Sequence, residues 1–444
     1  MDFKIKFING FNIVLLGLTT LFLIGFAYDS VGYQYSVIML TICVLLTIYI
    51  LYKKQNGFLL VYLLYLFLTN IGIYFTNVFV DNPFTEYHGD LSWYYSDFKL
   101  VFVIAMSGVL LFTILSTILS TIPKNLNNSK INITNKGNPT FFYAGIFFVV
   151  AFTILFLYYI ASGKLSITTY GDFVSSIQEL PFYTYGVFIF SLGVSFIYAN
   201  VQKKNLVKVS LILLPQVFLF FITGNRGEVF FPLLSALGVL IVRGFKVKWW
   251  LNLLILLILF IIIPLIKVSR NIQNFSFSDL NINWFSSIVE IGYTLRPLGF
   301  IALWIDSGEK LAYGESYFAP IQRFFSRFIP SIEPINYEIA GYGFRYRMPG
   351  MGMNVLGEAF YNGAWLALIL VVSIIVFMCW IFSRSTSYIK LSIATGIVSI
   401  LINNIRNAFS FVPGYIILVL SIALFLIVIN EYFSKASRND YDEK

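Results

Sequence analysis

The chain has 444 residues, 58% of them hydrophobic and 11% charged. Soluble domains carry about 25% charged residues, so a soluble enzyme of two or three domains is excluded, and the formal charge of +9 reads as membrane topology rather than nucleic-acid binding. Cys43 and Cys379 each lie in a long apolar run and His88 is the single histidine, which leaves neither a disulfide framework nor a histidine-rich metal centre.

The composition is that of an all-α integral membrane protein. Apolar runs long enough to cross about 30 Å of hydrocarbon predict twelve transmembrane helices, at 11–27, 36–52, 58–80, 99–122, 140–161, 183–201, 207–223, 229–242, 249–266, 363–382, 391–409 and 413–430. The first follows Lys4 and Lys6 as a signal sequence would, but no small-residue cleavage site comes after it, so it reads as a retained helix. With the N-terminus inside, the inner segments hold 18 of the 30 Lys and Arg residues, and the outer segments hold 16 of the 21 Asp and Glu residues. Every short inner loop is net positive, which puts both termini in the cytoplasm.

On this reading 1–266 carries helices one to nine, 351–430 carries helices ten to twelve, and 431–444 is a cytoplasmic tail. The interval 267–350 is too long for a structureless loop. With eight basic, seven acidic and seventeen aromatic residues, it is expected to fold as a partly helical extracytoplasmic cap. Its stretch 284–305 is apolar enough to lie in the interface or re-enter the membrane.

Charges at membrane depth are expensive and mark functional sites by default. Gly224-Asn225-Arg226-Gly227-Glu228 forms an outer turn between helices seven and eight. Its glycines admit a ligand close to backbone, and an arginine at a helix start suits an anionic oxygen ligand. The plainer alternative is a hairpin in which Arg226 snorkels and pairs with Glu228. Arg270 after helix nine and Arg406 in Asn403-Asn404-Ile405-Arg406-Asn407 stand at outer helix ends, with interface snorkelling as their alternative.

Within the cap, Arg323 and Arg327 fall at i,i+4 on an expected helix over 315–329, where like charges call for an acidic partner such as Glu315 or a bound anion. Arg345 and Arg347 share a face of an extended segment with the same ambiguity, and Arg296 joins them as a candidate substrate contact. The glycine-rich stretch from Gly350 to Gly363 leads into helix ten and contains Asn354, Glu358 and Tyr361. It favours close packing or backbone near a ligand, and it puts Glu358 near the membrane surface. Aromatic residues such as Trp284, Tyr313, Tyr317, Tyr342 and Tyr346 suit either sugar stacking or the core of the cap. Asp440-Tyr441-Asp442 has the spacing of metal-binding glycosyltransferases but lies in the tail, and the Asn132-Ile133-Thr134 sequon faces the cytoplasm.

Taken together, these residues resemble the O-antigen polysaccharide polymerase family, Wzy. The likeness rests on Gly224-Asn225-Arg226-Gly227-Glu228 after a helix and on the large outer loop before the last three helices. It also rests on Asn354, Gly357-Glu358 and Tyr361-Asn362-Gly363 before helix ten, and on the late Arg406. The resemblance implies a glycosyltransferase C-like fold and a polysaccharide polymerase working on undecaprenyl-diphosphate-linked oligosaccharide repeat units. It places this at the outer face of a bacterial plasma membrane, with the bilayer, chain-length regulator and flippase proteins as candidate partners and without nucleic acid. The related O-antigen ligases commonly use an outer-loop histidine; the loop 267–350 has none, which favours polymerase over ligase.

The chemistry fits the residues. A leaving diphosphate needs cationic donors, which arginine supplies without metal or cofactor; Arg226, Arg270 and Arg406 are the candidates. The acceptor hydroxyl needs a base, for which Glu228, Glu358 and Glu290 are candidates in that order. Asn225, Arg296, Arg323, Arg327, Arg345, Arg347, Asn354 and Tyr361 complete the expected substrate contacts. A lipid-linked-oligosaccharide flippase or other multi-spanning transporter is the alternative. It calls for polar groups along a central cavity and for internal repeats, and the sequence shows neither.

Overall fold

The computed structural model describes residues 2–80, 84, 91–123, 131, 134–166, 170–180, 182–223, 227–246, 285–326, 328–329, 331–333, 347–348 and 352–442. In chain order its helices are α1 (Asp2–Ala27), α2 (Tyr33–Lys53), α3 (Gly57–Phe79), α4 (Phe98–Thr121), α5 (Pro139–Ala161), α6 (Tyr170–Glu179), α7 (Tyr183–Asn200), α8 (Leu206–Ile222), α9 (Gly227–Val242), α10 (Ser286–Gly292), α11 (Arg296–Asp306), α12 (Glu315–Ser326), α13 (Val355–Phe382), α14 (Tyr388–Asn404) and α15 (Val412–Asp442). Helices α1 to α5, the stretch Ser287–Asp306, α13 and Phe409–Tyr432 are long and apolar enough to cross a membrane, and α9 and α14 are shorter apolar helices. The protein is an all-α, multi-pass membrane protein. Each expected span within the described residues overlaps a helix, although the one expected over 391–409 ends at Asn404; 249–266 lies outside them.

Two compact units form, and each draws on distant parts of the chain. The first comprises residues 1–124, 283–383 and 401–414. Helix α3 is its axis, apolar and buried on nearly all sides, as a helix enclosed by others must be. The apolar stretch expected near the interface is helical from Ser286 to Asp306 and packs on α3. A Cβ at Gly292 would come within 2.9 Å of the Ile73 nitrogen, and one at Gly72 within 3.0 Å of Ile288. Glycine on both sides is what allows this close approach in a bundle. Polar side chains join the helices too: Asn12 donates to Thr47 at 2.8 Å, and the Thr47 and Thr117 hydroxyls lie 3.0 Å apart.

Helix ten was expected from residue 363. Instead α13 begins at Val355 and breaks at Gly363 and Ala364. Ala364 has φ 49° and ψ −137°, a region that only glycine enters without strain. Residues 355–362 thus form a half-helix ahead of the long apolar part.

The second unit comprises residues 125–282, 384–400 and 415–444. Gly145 and Gly193 face each other where α5 crosses α7, and a Cβ on either would meet the other's carbonyl oxygen within 2.8 Å. The buried Arg243, just past α9, donates to the carbonyls of Tyr198 and Val201 at 3.0 and 2.6 Å. It thereby satisfies the end of α7, where the helix dipole also favours a cation.

Candidate active site

The half-helix 355–362 is started by Asn354, whose side-chain oxygen accepts from the amides of Leu356 and Gly357 at 2.9 and 3.2 Å. This is the usual asparagine cap for orphan amides. The Asn354 amide donates in turn to Asn70 on α3 at 2.9 Å and to the Thr294 carbonyl at 3.2 Å. One buried side chain therefore fixes the half-helix against both α3 and the segment between α10 and α11.

Four residues on, Glu358 points into the protein and is only 1% exposed. Its Oε1 accepts from the Ser316 hydroxyl of α12 and its Oε2 from the Phe409 amide, both at 2.8 Å. Asn362 supports this arrangement. It donates to the Ser316 hydroxyl and to the Glu358 carbonyl, each at 2.7 Å, and accepts from the Ser316 amide at 3.2 Å. The Tyr317 ring meets Phe409 edge-on, with centroids 5.0 Å apart. Burial, and then the charge of Glu358, push the Tyr317 phenol well above its ordinary value.

The segment that Glu358 holds is the Arg406 turn. Its three asparagines shape it: Asn404 donates to the Asn407 carbonyl at 2.8 Å, and Asn407 to the Asn403 side chain at 2.7 Å. Short amides favour turns because they bond to nearby backbone. The Arg406 and Ile405 carbonyls accept from the Met353 and Val355 amides at 3.0 and 3.2 Å. Gly352, with φ 73°, lies against this strap, where a Cβ would collide with the Arg406 oxygen. Ile405 is buried while Arg406 is exposed, and the guanidinium charge acts on Tyr65, a buried α3 residue. An exposed guanidinium on a turn pinned at both flanks is a ready anion contact.

The family model for O-antigen polysaccharide polymerase Wzy matches residues 10–437. The chain belongs to that family. A relative, Protein CapE of Staphylococcus aureus, is 53% identical over 440 residues, which is 99% of this chain and all of that protein. No solved structure matches. The protein is accordingly a membrane glycosyltransferase of the bacterial membrane, a polymerase of repeat units for a surface polysaccharide, acting on lipid-linked oligosaccharide. The transporter alternative is not favoured.

Of the residues singled out in the polymerase sequence, the fold gathers Asn354, Glu358 and Arg406 in the first unit. Glu358, expected near the membrane surface, is buried within the protein. Tyr361, on the half-helix, donates to Glu309 at 2.7 Å. Arg347 meets the same carboxylate with both terminal nitrogens at 2.7 Å and lies 3.5 Å over the Trp304 ring. Arg347 holds the Glu309 carboxyl below its ordinary value. Arg296, half-buried at the start of α11, lies over the Tyr293 and Phe300 rings. Arg323 on α12 and Glu290 on α10 are half-buried in the same unit, and Glu228 is half-buried in the first turn of α9 in the other. Asn225, Arg226, Arg270, Arg327 and Arg345 lie outside the described residues. Sequence reasoning missed Ser316, Glu309 and Tyr65 as polar partners. No spacing marks them, because each meets its partner only through the fold.

Proposed function

We propose that the polymerase joins undecaprenyl-diphosphate-linked repeat units at the outer face of the plasma membrane, and that Arg406 holds the diphosphate of the donor. The observation that supports this is the exposed Arg406 guanidinium on a turn strapped to the half-helix. A guanidinium offers paired, planar donors to phosphate oxygens without a metal ion. Donors already fixed in place need not reorganise as charge develops.

In the transfer, an acceptor hydroxyl oxygen bonds to the anomeric carbon of the donor sugar. The bond from that carbon to the diphosphate oxygen breaks, and undecaprenyl diphosphate leaves with the electron pair. The hydroxyl proton passes to a base, with Glu228, Glu358 and Glu290 as the carboxylate candidates. Asn225, Arg226 and Arg270 are further proposed diphosphate contacts, and Arg296, Arg323, Arg327 and Arg345 proposed oligosaccharide contacts. Asn354, Tyr361 and Arg347 have their polar groups bonded within the protein, so we read them as scaffold.

The charge distribution supports twelve spans with both termini cytoplasmic and 267–350 outside; chain-length regulator and flippase proteins are proposed partners. The test is purified polymerase in proteoliposomes supplied with one lipid-linked repeat unit. A ladder of longer glycans is expected. A flippase would carry the substrate across the bilayer without lengthening it.

A further inference from the structure

We propose that Glu358 serves the reaction as a positioning residue rather than as its base, and that with Ser316 and Asn362 it aims Arg406. The inference rests on the reading that Arg406 holds the diphosphate. A general base must come within hydrogen-bond reach of the acceptor hydroxyl. Glu358 is 1% exposed, which keeps an incoming hydroxyl away from its remaining lone pairs, and each of its oxygens is tied to the protein by a hydrogen bond of 2.8 Å.

What those bonds connect is more informative. The Phe409 amide opens the helical turn Phe409–Phe411 that leads into α15, and the first amides of a helix have no partner of their own. The carboxylate supplies one, as a charge-assisted bond. On the other side of Arg406, Met353 and Val355 bond to the carbonyls of Arg406 and Ile405. Both sets of bonds come from residues 353–358, so the stretch from Ile405 to Phe409 is clamped along one short segment. Without Glu358 the turn loses its anchor on the Phe409 side and keeps only the Met353 and Val355 bonds and those of its own asparagines, so the backbone that carries the guanidinium is less fixed.

Asn362 makes the clamp depend on α12. Its amide fixes Ser316 from both sides, donating to the hydroxyl and accepting from the backbone amide. The hydroxyl proton is then directed at Glu358. Any shift of α12 therefore reaches the arginine turn through two hydrogen bonds.

The experiment compares initial polymerisation rates of Glu358→Gln, Glu358→Ala, Arg406→Ala and the double variant Glu358→Ala/Arg406→Ala. Each is measured as monodisperse protein over a range of lipid-linked substrate. Glutamine keeps an oxygen for the Phe409 amide, and its NH2 can donate to the Ser316 hydroxyl, which has lone pairs to accept. Glu358→Gln is therefore expected to stay within about tenfold of the parent, with an unaltered pH profile. Glu358→Ala should lose on the order of 100-fold in kcat, the scale of a misplacement of about 1 Å in a catalytic group. If Glu358 acts through Arg406, its removal should add almost nothing once Arg406 is alanine.

Loss of activity in Glu358→Gln as deep as in Glu358→Ala overturns the proposal and restores the base. So does a double variant whose losses multiply. Should Glu358→Ala fail to fold, the isosteric glutamine variant decides alone. A fully active Arg406→Ala would instead defeat the diphosphate reading on which all of this rests, and it shows in its own arm.

Discussion

Asn354→Ala should destabilise the first unit strongly, and the size of the effect follows from its four hydrogen bonds. The side chain accepts from Leu356 and Gly357 and donates to Asn70 and the Thr294 carbonyl, all while fully buried. Losing an asparagine cap costs about 1 kcal/mol. Stranding the buried Asn70 oxygen adds about 1–3 kcal/mol, for about 2–4 kcal/mol together. At roughly 2–4 °C per kcal/mol for a unit of this size, the midpoint should fall on the order of 10 °C. Cys43 and Cys379 are both free and buried, so a thiol-reactive dye reports unfolding in detergent without added labels. Asn70→Ala in the Asn354→Ala background should cost less than it does alone, because it removes the stranded acceptor. An unchanged midpoint in Asn354→Ala would refute the assignment of this side chain as the pin between the half-helix and α3.

Three further outcomes are expected. Polymerisation should persist in EDTA, because guanidinium groups are proposed to meet the diphosphate; complete loss restored by magnesium would contradict this. Arg347 holds the Glu309 carboxyl down, so the pair stabilises the fold above the ordinary carboxylate range and fades as pH falls through the lowered value. Arg347→Ala should accordingly lower the melting midpoint slightly at pH 7 and progressively less in acid; a gap that widens in acid would reverse the sign of the argument. Ser278→Cys should label from outside the cell and Ser437→Cys only after permeabilisation; the opposite pattern inverts the topology.

The spans were legible because each is a continuous apolar run, and hydropathy needs no knowledge of neighbours. The start of α13 was legible in principle as well: Asn354 is a cap residue and Gly363 a break. The glycines at 350, 352, 357 and 363 read as favouring close packing or backbone near a ligand, and the helix was expected only from 363. The half-helix does pack closely: a Cβ at Gly357 would come within 3.1 Å of Ile301 and 3.2 Å of Leu298. Glu358 was found as a residue but not as a partner. Ser316 and Phe409 are 42 and 51 positions away, and nothing local announces them. Arg347 and Glu309 are likewise 38 positions apart, so a charge that looked available for substrate is met by a carboxylate that no spacing announces. Arg406 was legible because a charge interrupting an apolar pattern stands out wherever the chain goes.

The central claim is that Arg406 carries the diphosphate, and its most direct test is the polymerisation rate of Arg406→Ala and Arg406→Lys at matched amounts of folded protein. Removing a donor that strengthens as charge develops should cost on the order of 100- to 1000-fold in kcat. Lysine keeps the charge but not the paired donors, so it should recover only part of the loss. Near-normal rates and full-length ladders from well-folded Arg406→Ala would contradict the account.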